Sequence, residues 1–442
     1  MGIKICSLWL LVTICLLTLK VRKHPGYAVA MIWSLFAAEQ ILQQGFGIFL
    51  ARQYLVNLII GAIALVAVGQ QVSATSFDKR TLPKEFVYLL AVIGFSGLST
   101  IWAPNSNQAI SIFVSQFPPM VLFAAIAPFL LNRLDDLRDA LKGMIVLSAP
   151  IILGFILAPR LSRGLAVKQG ISEVQANPLA EATFGGICVI AAVFLLSSGV
   201  VRKILYKVCL IAISVLGLYV IYRSGSRGQL IGVVLTVLLF LPILSRVSST
   251  KNSIRALFLA AVVLLSVGFF LSGDGGGNRW DRRVLTENGM GRLEAAQSLL
   301  KAFSNEPSAW MIGLGCGSSR RLIGSYCHIV PVEMICELGI PMSCLFFFTC
   351  FSVSRTAFVQ LYDSSLSPSA RAAFGFLFAC MAFTMCLSLK QGSITGSSPM
   401  YSFIGCTAIA TAIVGRETVI HRIPLQFRAR FAQPSQPQSP VS

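Results

Sequence analysis

Long uninterrupted apolar runs recur along the whole chain and restrict it to one class of fold. Crossing the hydrocarbon core of a membrane takes roughly 20 apolar residues per helix, and about thirteen runs approach that length. They lie near residues 5–20, 27–44, 53–70, 86–102, 117–131, 142–158, 182–199, 204–222, 229–245, 256–272, 330–352, 372–388 and 399–415. Backbone polar groups in lipid need internal partners, so the runs predict helices. They lack the alternating pattern of β-barrel strands.

Composition agrees with this class, because only 12% of the 442 residues are charged and the mean hydropathy is +0.76. We therefore predict an all-α polytopic membrane protein with about 12–13 transmembrane helices and one large external loop that contains an amphipathic helix. The predicted order is transmembrane helices in 1–272, the external loop in 273–328, further transmembrane helices in 329–416 and a basic, partly disordered cytoplasmic tail in 417–442. The basic cluster of the first run (Lys20, Arg22 and Lys23) follows the apolar stretch, which indicates a retained span with its N-terminus outside.

The net charge of +19 follows largely from membrane topology. If the loops alternate between the two sides, 21 of the 36 lysines and arginines fall in the loops and tail of one side. This is the distribution that the positive-inside rule predicts for the cytoplasmic side. A nucleic-acid partner is therefore not needed to explain the charge.

The other 15 basic residues fall on the outer side, and twelve of them cluster in three loops. These loops contain Arg160, Arg163 and Lys168; Arg223 and Arg227; and Arg279, Arg282, Arg283, Arg292, Lys301, Arg320 and Arg321. Because the positive-inside rule disfavours basic residues on the outer side, their presence there suggests an anionic ligand on that face. The alternative is that long loops ignore the rule, which accounts for residues 273–328 but poorly for the short loop at 223–227.

Neither a metal nor a nucleotide site is indicated. Ten of the twelve cysteines lie in or beside apolar spans, and only Cys316 and Cys327 fall in the external loop, where they either pair in an oxidising compartment or stay free. The sequence has no Asp-x-Asp pair, no P-loop and no Cys/His metal spacing. We expect no metal and no cofactor, so any group transfer would need a pre-activated substrate.

Three ionisable side chains lie where the external loop returns to the membrane. Imidazole accepts a proton near neutral pH, so His328 is a candidate base; an interfacial histidine that simply begins a helix is the alternative. Glu333 and Glu337 are four residues apart and share a helix face, and carboxylates within a span need a partner. A purely structural role fits either glutamate, and we favour it for Glu333.

Two arginines lie at predicted helix starts on the outer side. Arg227 follows Gly225 and Ser226 in RSGSRGQL, where a helix N-terminus offers N–H groups and arginine adds a fork suited to phosphate. Snorkelling from a helix end is the alternative. Arg292 begins GRLEAAQSLLKAF in the external loop and has the same two interpretations.

The segment GRLEAAQSLLKAF predicts an amphipathic helix with Leu293, Ala296, Leu300 and Phe303 on one face. We expect this helix to lie on the membrane surface or to cover the ends of the transmembrane helices. A glycine turn, GLGCGSS, follows.

Five segments in a fixed order carry a family resemblance that covers about residues 95 to 340. They are LSTIWAP with a tryptophan at the end of an early span; QANPLAEATFGG at the start of a middle span; SGSRGQL; GRLEAAQSLLKAF followed by GLGCGSS; and His328 with Glu337 and Gly339. In this order they resemble the motifs of the O-antigen ligase/polymerase family of bacterial membrane glycosyltransferases. Ile329 stands where that family usually has asparagine.

The resemblance implies a donor, an undecaprenyl-diphosphate-linked glycan at the periplasmic face of the bacterial inner membrane, and an acceptor hydroxyl on a glycan or on lipid A–core. Arg227 and Arg292 would neutralise the departing diphosphate, with Ser226 and Gly315 in support. His328 would take the acceptor proton in an inverting transfer, and Glu337 would orient it or be structural.

Four interpretations remain open within and beyond this resemblance. The single large external loop mildly favours a ligase over a polymerase, and relatives that glycosylate proteins form a third group. A transporter or flippase of a lipid-linked anion is the alternative of a different class. It would spread ionisable residues along a transmembrane path, whereas here they cluster at one face.

Overall fold

The computed structural model describes residues 2–74, 82–158, 178–246, 282–362 and 366–422, without the side chains of 74, 241–246, 282–289 and 417–422. Several predictions therefore fall outside the described residues. They concern the apolar run 256–272, Arg160, Arg163, Lys168 and Arg279, the first part of the external loop at 273–281 and the end of the tail at 423–442.

Every regular element among the described residues is helical. The α-helices are α1 (Gly2–Val21), α2 (Gly26–Trp33), α3 (Leu35–Gly45), α4 (Gly47–Ala51), α5 (Leu55–Ala74), α6 (Lys84–Ser99), α7 (Ser106–Val121), α8 (Ala127–Phe129), α9 (Leu134–Leu157), α10 (Pro178–Ser197), α11 (Ile204–Arg223), α12 (Arg227–Arg246), α13 (Arg282–Ser304), α14 (Ala309–Ile312), α15 (Ser318–Ile323), α16 (Val330–Leu361), α17 (Pro368–Ser388) and α18 (Ser398–Arg422). A 3₁₀ turn (Thr100–Trp102) follows α6, and a π turn (Leu122–Ile126) joins α7 to α8.

Ten of the predicted spans form helices long and apolar enough to cross a membrane, counted among the described residues. The run 229–245 lies within α12. The run 27–44 is divided into α2 and α3 at Ser34, whose hydroxyl donates to the Ala30 carbonyl at 2.8 Å, a bond that bends helices. The chain is thus an all-α multi-pass membrane protein, as its sequence predicts.

The helices differ in how much of their apolar surface other helices cover. In α17 and α18, 83% of the most apolar window is buried within the protein, against 28% in α5 and in the α7–α8 unit. An apolar helix that leaves most of its surface outside the bundle is suited to contact lipid tails. The last two spans therefore lie inside the bundle, and the connection between them is held by helices on several sides.

Contacts between connections define two faces of the bundle. On one face His24, before α2, contacts Asp139 of α9 at 2.7 Å, and Arg138 donates to Ser367 before α17 at 2.8 Å. On the other face Arg223, which ends α11, donates to the carbonyls of Phe155, Ile156 and Ala158 at the end of α9. The arginine satisfies carbonyls that have no partner within the helix. We call this second face the Arg223 face; the connections 304–330 and 389–397 lie on it.

The amphipathic helix of the external loop is longer than predicted, and one part of its predicted apolar face is wrong. Ala296, Leu299 and Phe303 of α13 are buried, whereas Leu293 and Leu300 are 53% and 41% exposed. The buried residues pack with Leu314, Cys327 and Cys336 in one cluster. The helix therefore packs over the start of α16, because its contacts select a stripe rotated from the one that spacing suggested.

Candidate functional site

A break in α16 provides the framework of the site. Gly339 has φ +80° and ψ 170°, a backbone conformation outside the helical region. The carbonyls of Cys336 and Glu337, just before the break, accept from the N–H groups of Leu314 (2.8 Å) and Gly315 (3.0 Å). A break within a helix leaves backbone groups without their usual helical partners, so they need replacements. The glycine turn at residues 313–317 supplies them.

The glycine turn fits only because Gly313 and Gly315 lack side chains. A Cβ on Gly313 would lie 2.1 Å from the Glu337 carbonyl oxygen, and one on Gly315 would lie 2.7 Å from the Ser99 carbonyl oxygen at the end of α6. The Trp102 indole donates to the Gly313 carbonyl at 3.2 Å. The turn therefore lies between the end of α6 and the break in α16.

The two glutamates that precede the break are buried and hold loop amides. Glu337 accepts from the N–H groups of Gly317 (2.8 Å) and Ser319 (2.9 Å), at the start of α15. Glu333 accepts from the N–H groups of Cys327 (2.6 Å) and Ile394 (3.0 Å). Carboxylates that accept backbone N–H bonds are well satisfied when buried. Both therefore fix loops in place, in line with the structural role expected for Glu333.

His328 has the one left-handed backbone among the described non-glycine residues, with φ +65°. Its half-buried ring lies against Tyr326, with centroids 4.1 Å apart, and the Arg320 guanidinium lies 5.9 Å from the Tyr326 ring. Ile329 follows as the N-cap of α16 and gives it no side-chain hydrogen bond. A non-glycine residue held at positive φ is uncommon and points to a constraint at that position.

A small cleft opens beside this segment, with about 310 Å³ of empty volume that includes open solvent at its mouth. It is lined by Ala109, Ile112, Cys316, Gly317, Ser319, Arg320, Tyr326, Glu333, Glu337, Ser393, Ile394 and Thr395. The residues come from the glycine turn, the start of α16 and the connection 389–397. His328, Arg227 and Arg292 are not among the residues that line this cleft.

The second group of predicted residues lies beside the same connection. Arg292 of α13 donates to the Lys390 carbonyl at 3.0 Å, and the Lys390 ammonium donates to Gln229 Oε1 at 3.3 Å, in the first turn of α12. Burial, together with the charges of Arg292 and Arg227, lowers the pKa of Lys390 to about 8. We call Arg227, Arg292 and Lys390 the cationic cluster.

The connection 389–397 links the cationic cluster to the His328 segment. Lys390, at the start of this connection, belongs to the cationic cluster. Four residues later, the N–H group of Ile394 donates to Glu333, which also accepts from the N–H group of Cys327, next to His328. Four residues of chain span at most about 14 Å when fully extended. One short connection therefore joins the cationic cluster to the loop that Glu333 holds beside His328.

Most of the predicted site residues lie on the Arg223 face. Gly315 and Glu337 lie together at the helix break, whereas His328 precedes α16 and is separated from the break by the first nine residues of that helix. Arg227 and Arg292 lie together in the cationic cluster. Ser226, buried, immediately precedes α12. Lys390 was not predicted as a site residue; it is one of the three basic residues on the outer side that fall outside the three clustered loops. The available signal was its position between the last two spans, where a single charge faces no carboxylate in its own loop.

The cysteines are unpaired and mostly buried in the structure. All twelve cysteines are free, and Cys316 and Cys327 are buried in different hydrophobic clusters. Burial raises the pKa of the Cys327 thiol to about 11, which keeps it protonated and unreactive. Within the described ranges, no group of three or more His, Cys, Asp or Glu side chains could hold a metal ion.

Fold and site together define a multi-pass all-α membrane protein with a polar, cation-rich site at one face. A comparison with models of known protein families gives no match, and a search of curated proteins gives no significant match.

Proposed function

We propose that the protein is a glycosyltransferase that moves a glycan from an undecaprenyl-diphosphate carrier to an acceptor hydroxyl at the Arg223 face, in the manner of an O-antigen ligase. The observation that carries the proposal is the convergence of motif residues distant in sequence. Trp102, the glycine turn and the Glu337–Gly339 break contact one another, and Arg227 lies with Arg292 in the cationic cluster. A single site made from motifs of one family is expected if the protein shares that family's chemistry.

The cationic cluster suits the donor. A diphosphate carries several negative charges, and arginine and lysine bind phosphate oxygens with charge-assisted hydrogen bonds. Positive groups set where the leaving group gains charge lower the barrier of the transfer. The lipid-linked donor is already activated, so this step draws no energy from a nucleotide.

In the proposed step, His328 takes the proton of the acceptor hydroxyl while its oxygen attacks the anomeric carbon. The new glycosidic C–O bond forms as the bond between the anomeric carbon and the diphosphate breaks, with inversion. The electron pair leaves with the lipid diphosphate, whose charge the cationic cluster balances. Glu337 holds the glycine turn in place and takes no part in proton transfer.

The test is transfer by the purified full chain in lipid nanodiscs, with undecaprenyl-diphosphate-linked glycan as donor. Coupling of glycan to lipid A–core, with release of undecaprenyl diphosphate, is the expected result. A heavier lipid-linked glycan would instead make the protein a polymerase. Movement of the lipid-linked glycan across the membrane without release would overturn the proposal in favour of a transporter.

The variant His328→Asn tests the role of His328 as a base more specifically than His328→Ala does. Asparagine tolerates left-handed backbone better than alanine does, so it keeps the fold, but it cannot accept a proton at neutral pH. We expect transfer to fall by at least about 100-fold, the low end of what a general base contributes. Ser325→Asn, at an exposed neighbouring position, is the control and should keep normal transfer. Normal transfer by His328→Asn would exclude His328 as the base.

A further inference from the structure

Among the residues that the structure describes, the surroundings of Lys390 are electrostatically unfavourable for its charge. Its ammonium lies near the guanidinium groups of Arg227 and Arg292, and both oppose its charge. Neither Arg292 nor Lys390 forms an ion pair with any side chain that the structure describes. The polar neighbours of Lys390 are the neutral amide of Gln229 and, through it, that of Gln391. Like charges brought together in this way favour the binding of an anion.

The first turn of α12 is shaped to hold the lysine. A Cβ on Gly228 would lie 2.2 Å from Lys390 Cδ and 2.3 Å from its Nζ, so the lysine side chain crosses the position that a larger residue would fill. Ser226, just before this turn, is only 4% exposed, and its hydroxyl has no hydrogen-bond partner among the described residues. A buried hydroxyl left without a partner costs free energy unless a ligand binds it. The N-terminus of α12, the Ser226 hydroxyl and the cationic cluster are all suited to bind the same anion.

We propose that Lys390 completes, with Arg227 and Arg292, a three-cation site for the diphosphate group of a lipid, and that it binds the leaving diphosphate more strongly than the intact donor. This inference rests on the proposed glycan transfer. A diphosphate esterified at both ends carries two negative charges, and loss of the glycan leaves a terminal phosphate that carries a further charge. A third cation matches the charge that appears as the bond to the glycan breaks. An interaction that strengthens along the reaction accelerates it.

The proposal predicts how binding depends on pH. In the empty site the pKa of Lys390 is about 8, and a bound anion raises it. Affinity is therefore at its full value below pH 8 and falls above it, by up to tenfold per pH unit, as binding comes to require uptake of a proton. Arg227 and Arg292, the charged groups that act on Lys390 among the described side chains, stay protonated over this range. The terminal phosphate, with a pKa of about 6, is already ionised.

The experiment measures binding of undecaprenyl diphosphate and undecaprenyl monophosphate to the full chain in nanodiscs at pH 7 and pH 9. For Lys390→Gln we expect at least about tenfold weaker binding of the diphosphate, the usual cost of a charge-assisted hydrogen bond, a smaller loss for the monophosphate, and no fall between the two pH values. Lys390→Arg should bind tightly at both. Lys301→Gln, an exposed lysine on α13, is the charge control and should behave as the unaltered protein.

Two glycine variants test whether the position of the Lys390 side chain matters independently of its charge. Gly228→Ala displaces the flexible lysine and keeps all three cations, so diphosphate binding should weaken although the helix is not destabilised. Gly291→Ala places the same methyl group beside Arg292, where nothing lies within 4 Å, and should leave binding unchanged. Equal binding by the Gly228→Ala protein and the unaltered protein would contradict the proposed geometry.

The outcomes distinguish this inference from the proposed function. If the unaltered protein transfers glycan but Lys390→Gln binds diphosphate equally well with the same pH dependence, the role of Lys390 is overturned and the transferase stands. If the protein binds diphosphate with the predicted dependence on Lys390 but transfers no glycan, the anion site stands and the transferase fails. Inorganic pyrophosphate bound as tightly as the lipid would overturn the assignment to a lipid.

Discussion

Single glycines at the centre of the site are required by backbone geometry. Gly339 combines a left-handed φ of +80° with contacts at 2.8 Å from the Gly313 nitrogen and the Met311 carbonyl oxygen, measured from the position of an added Cβ. Gly324, at the end of α15, has a similar φ of +73°, but an added Cβ would meet nothing within 4 Å. The backbone at Gly324 lies in the αL region (ψ −8°), which other residues tolerate, whereas that at Gly339 (ψ 170°) is adopted almost only by glycine. A side chain at Gly339 therefore adds both a larger conformational cost and a clash with backbone.

We predict that Gly339→Ala lowers the unfolding temperature of the protein in detergent well below that of Gly324→Ala. A residue forced into such a conformation costs about 1–3 kcal/mol, and at Gly339 the neighbouring backbone must also move. Glycan transfer should fall with Gly339→Ala, because the turn and Glu337 move together. Equal unfolding temperatures for the two variants would show that the contact between the turn and the break carries no stability.

For individual residues, the sequence was sufficient to predict most of the candidate site residues but not how they are arranged. His328, Arg227 and Arg292 were selected because of residue type, position at a helix end and family resemblance. Lys390 was not, because its importance depends on a contact with Gln229, 161 residues away in the chain. Likewise, the bonds of Glu333 to Ile394 and of Glu337 to the glycine turn follow from packing, which no local pattern encodes.

Among the elements, α13 shows how tertiary contacts choose between two similar helix faces. Leu299 is fully buried and Leu300 is 41% exposed, although they are adjacent and chemically identical. Helical spacing placed Leu300 in the apolar stripe with Phe303, and the contact of α13 with Cys327 and Cys336 selected Leu299 instead. The existence of the helix was predictable, and the orientation of its apolar side was not, because it depends on the elements beneath.

We predict that Leu299→Ala and Leu300→Ala differ sharply in their effect on the external loop. Removal of a fully buried leucine side chain costs about 2–5 kcal/mol, whereas an exposed position usually changes stability by less than about 0.5 kcal/mol. Limited proteolysis of the loop in membranes, compared between the two variants, is the measurement. Similar cleavage rates would mean that α13 does not pack over α16 as described.

For the whole molecule, the apolar runs were sufficient to predict the class of fold. Runs near 20 residues long have one stable form in lipid, so composition and length decide between helix and strand. What they leave undetermined is which helices are innermost. The strong burial of α17 and α18 follows from small and apolar side chains on all sides, and it explains why their connection can carry site residues.

Topology gives a prediction at this scale. Ser325 is exposed on the Arg223 face, and Lys203 is exposed in the connection between α10 and α11 on the opposite face. A cysteine placed at Ser325 in intact cells should react with a membrane-impermeant maleimide, and one at Lys203 should react only after the membrane is opened. The unaltered protein measures the background from its own cysteines. Labelling of both positions in intact cells would contradict the two-face arrangement.

The break at Gly339 also determines how deep the site lies. Residues 340–361 alone form about 33 Å of helix, which already matches a hydrocarbon core of about 30 Å. The nine residues before the break, which contain both glutamates, are thus not needed to cross the membrane. They can extend beyond the acyl chains as a helical segment about 13 Å long, and His328 immediately precedes the outer end of this segment. A sugar attached to a lipid in the outer leaflet would reach such a height without leaving the bilayer.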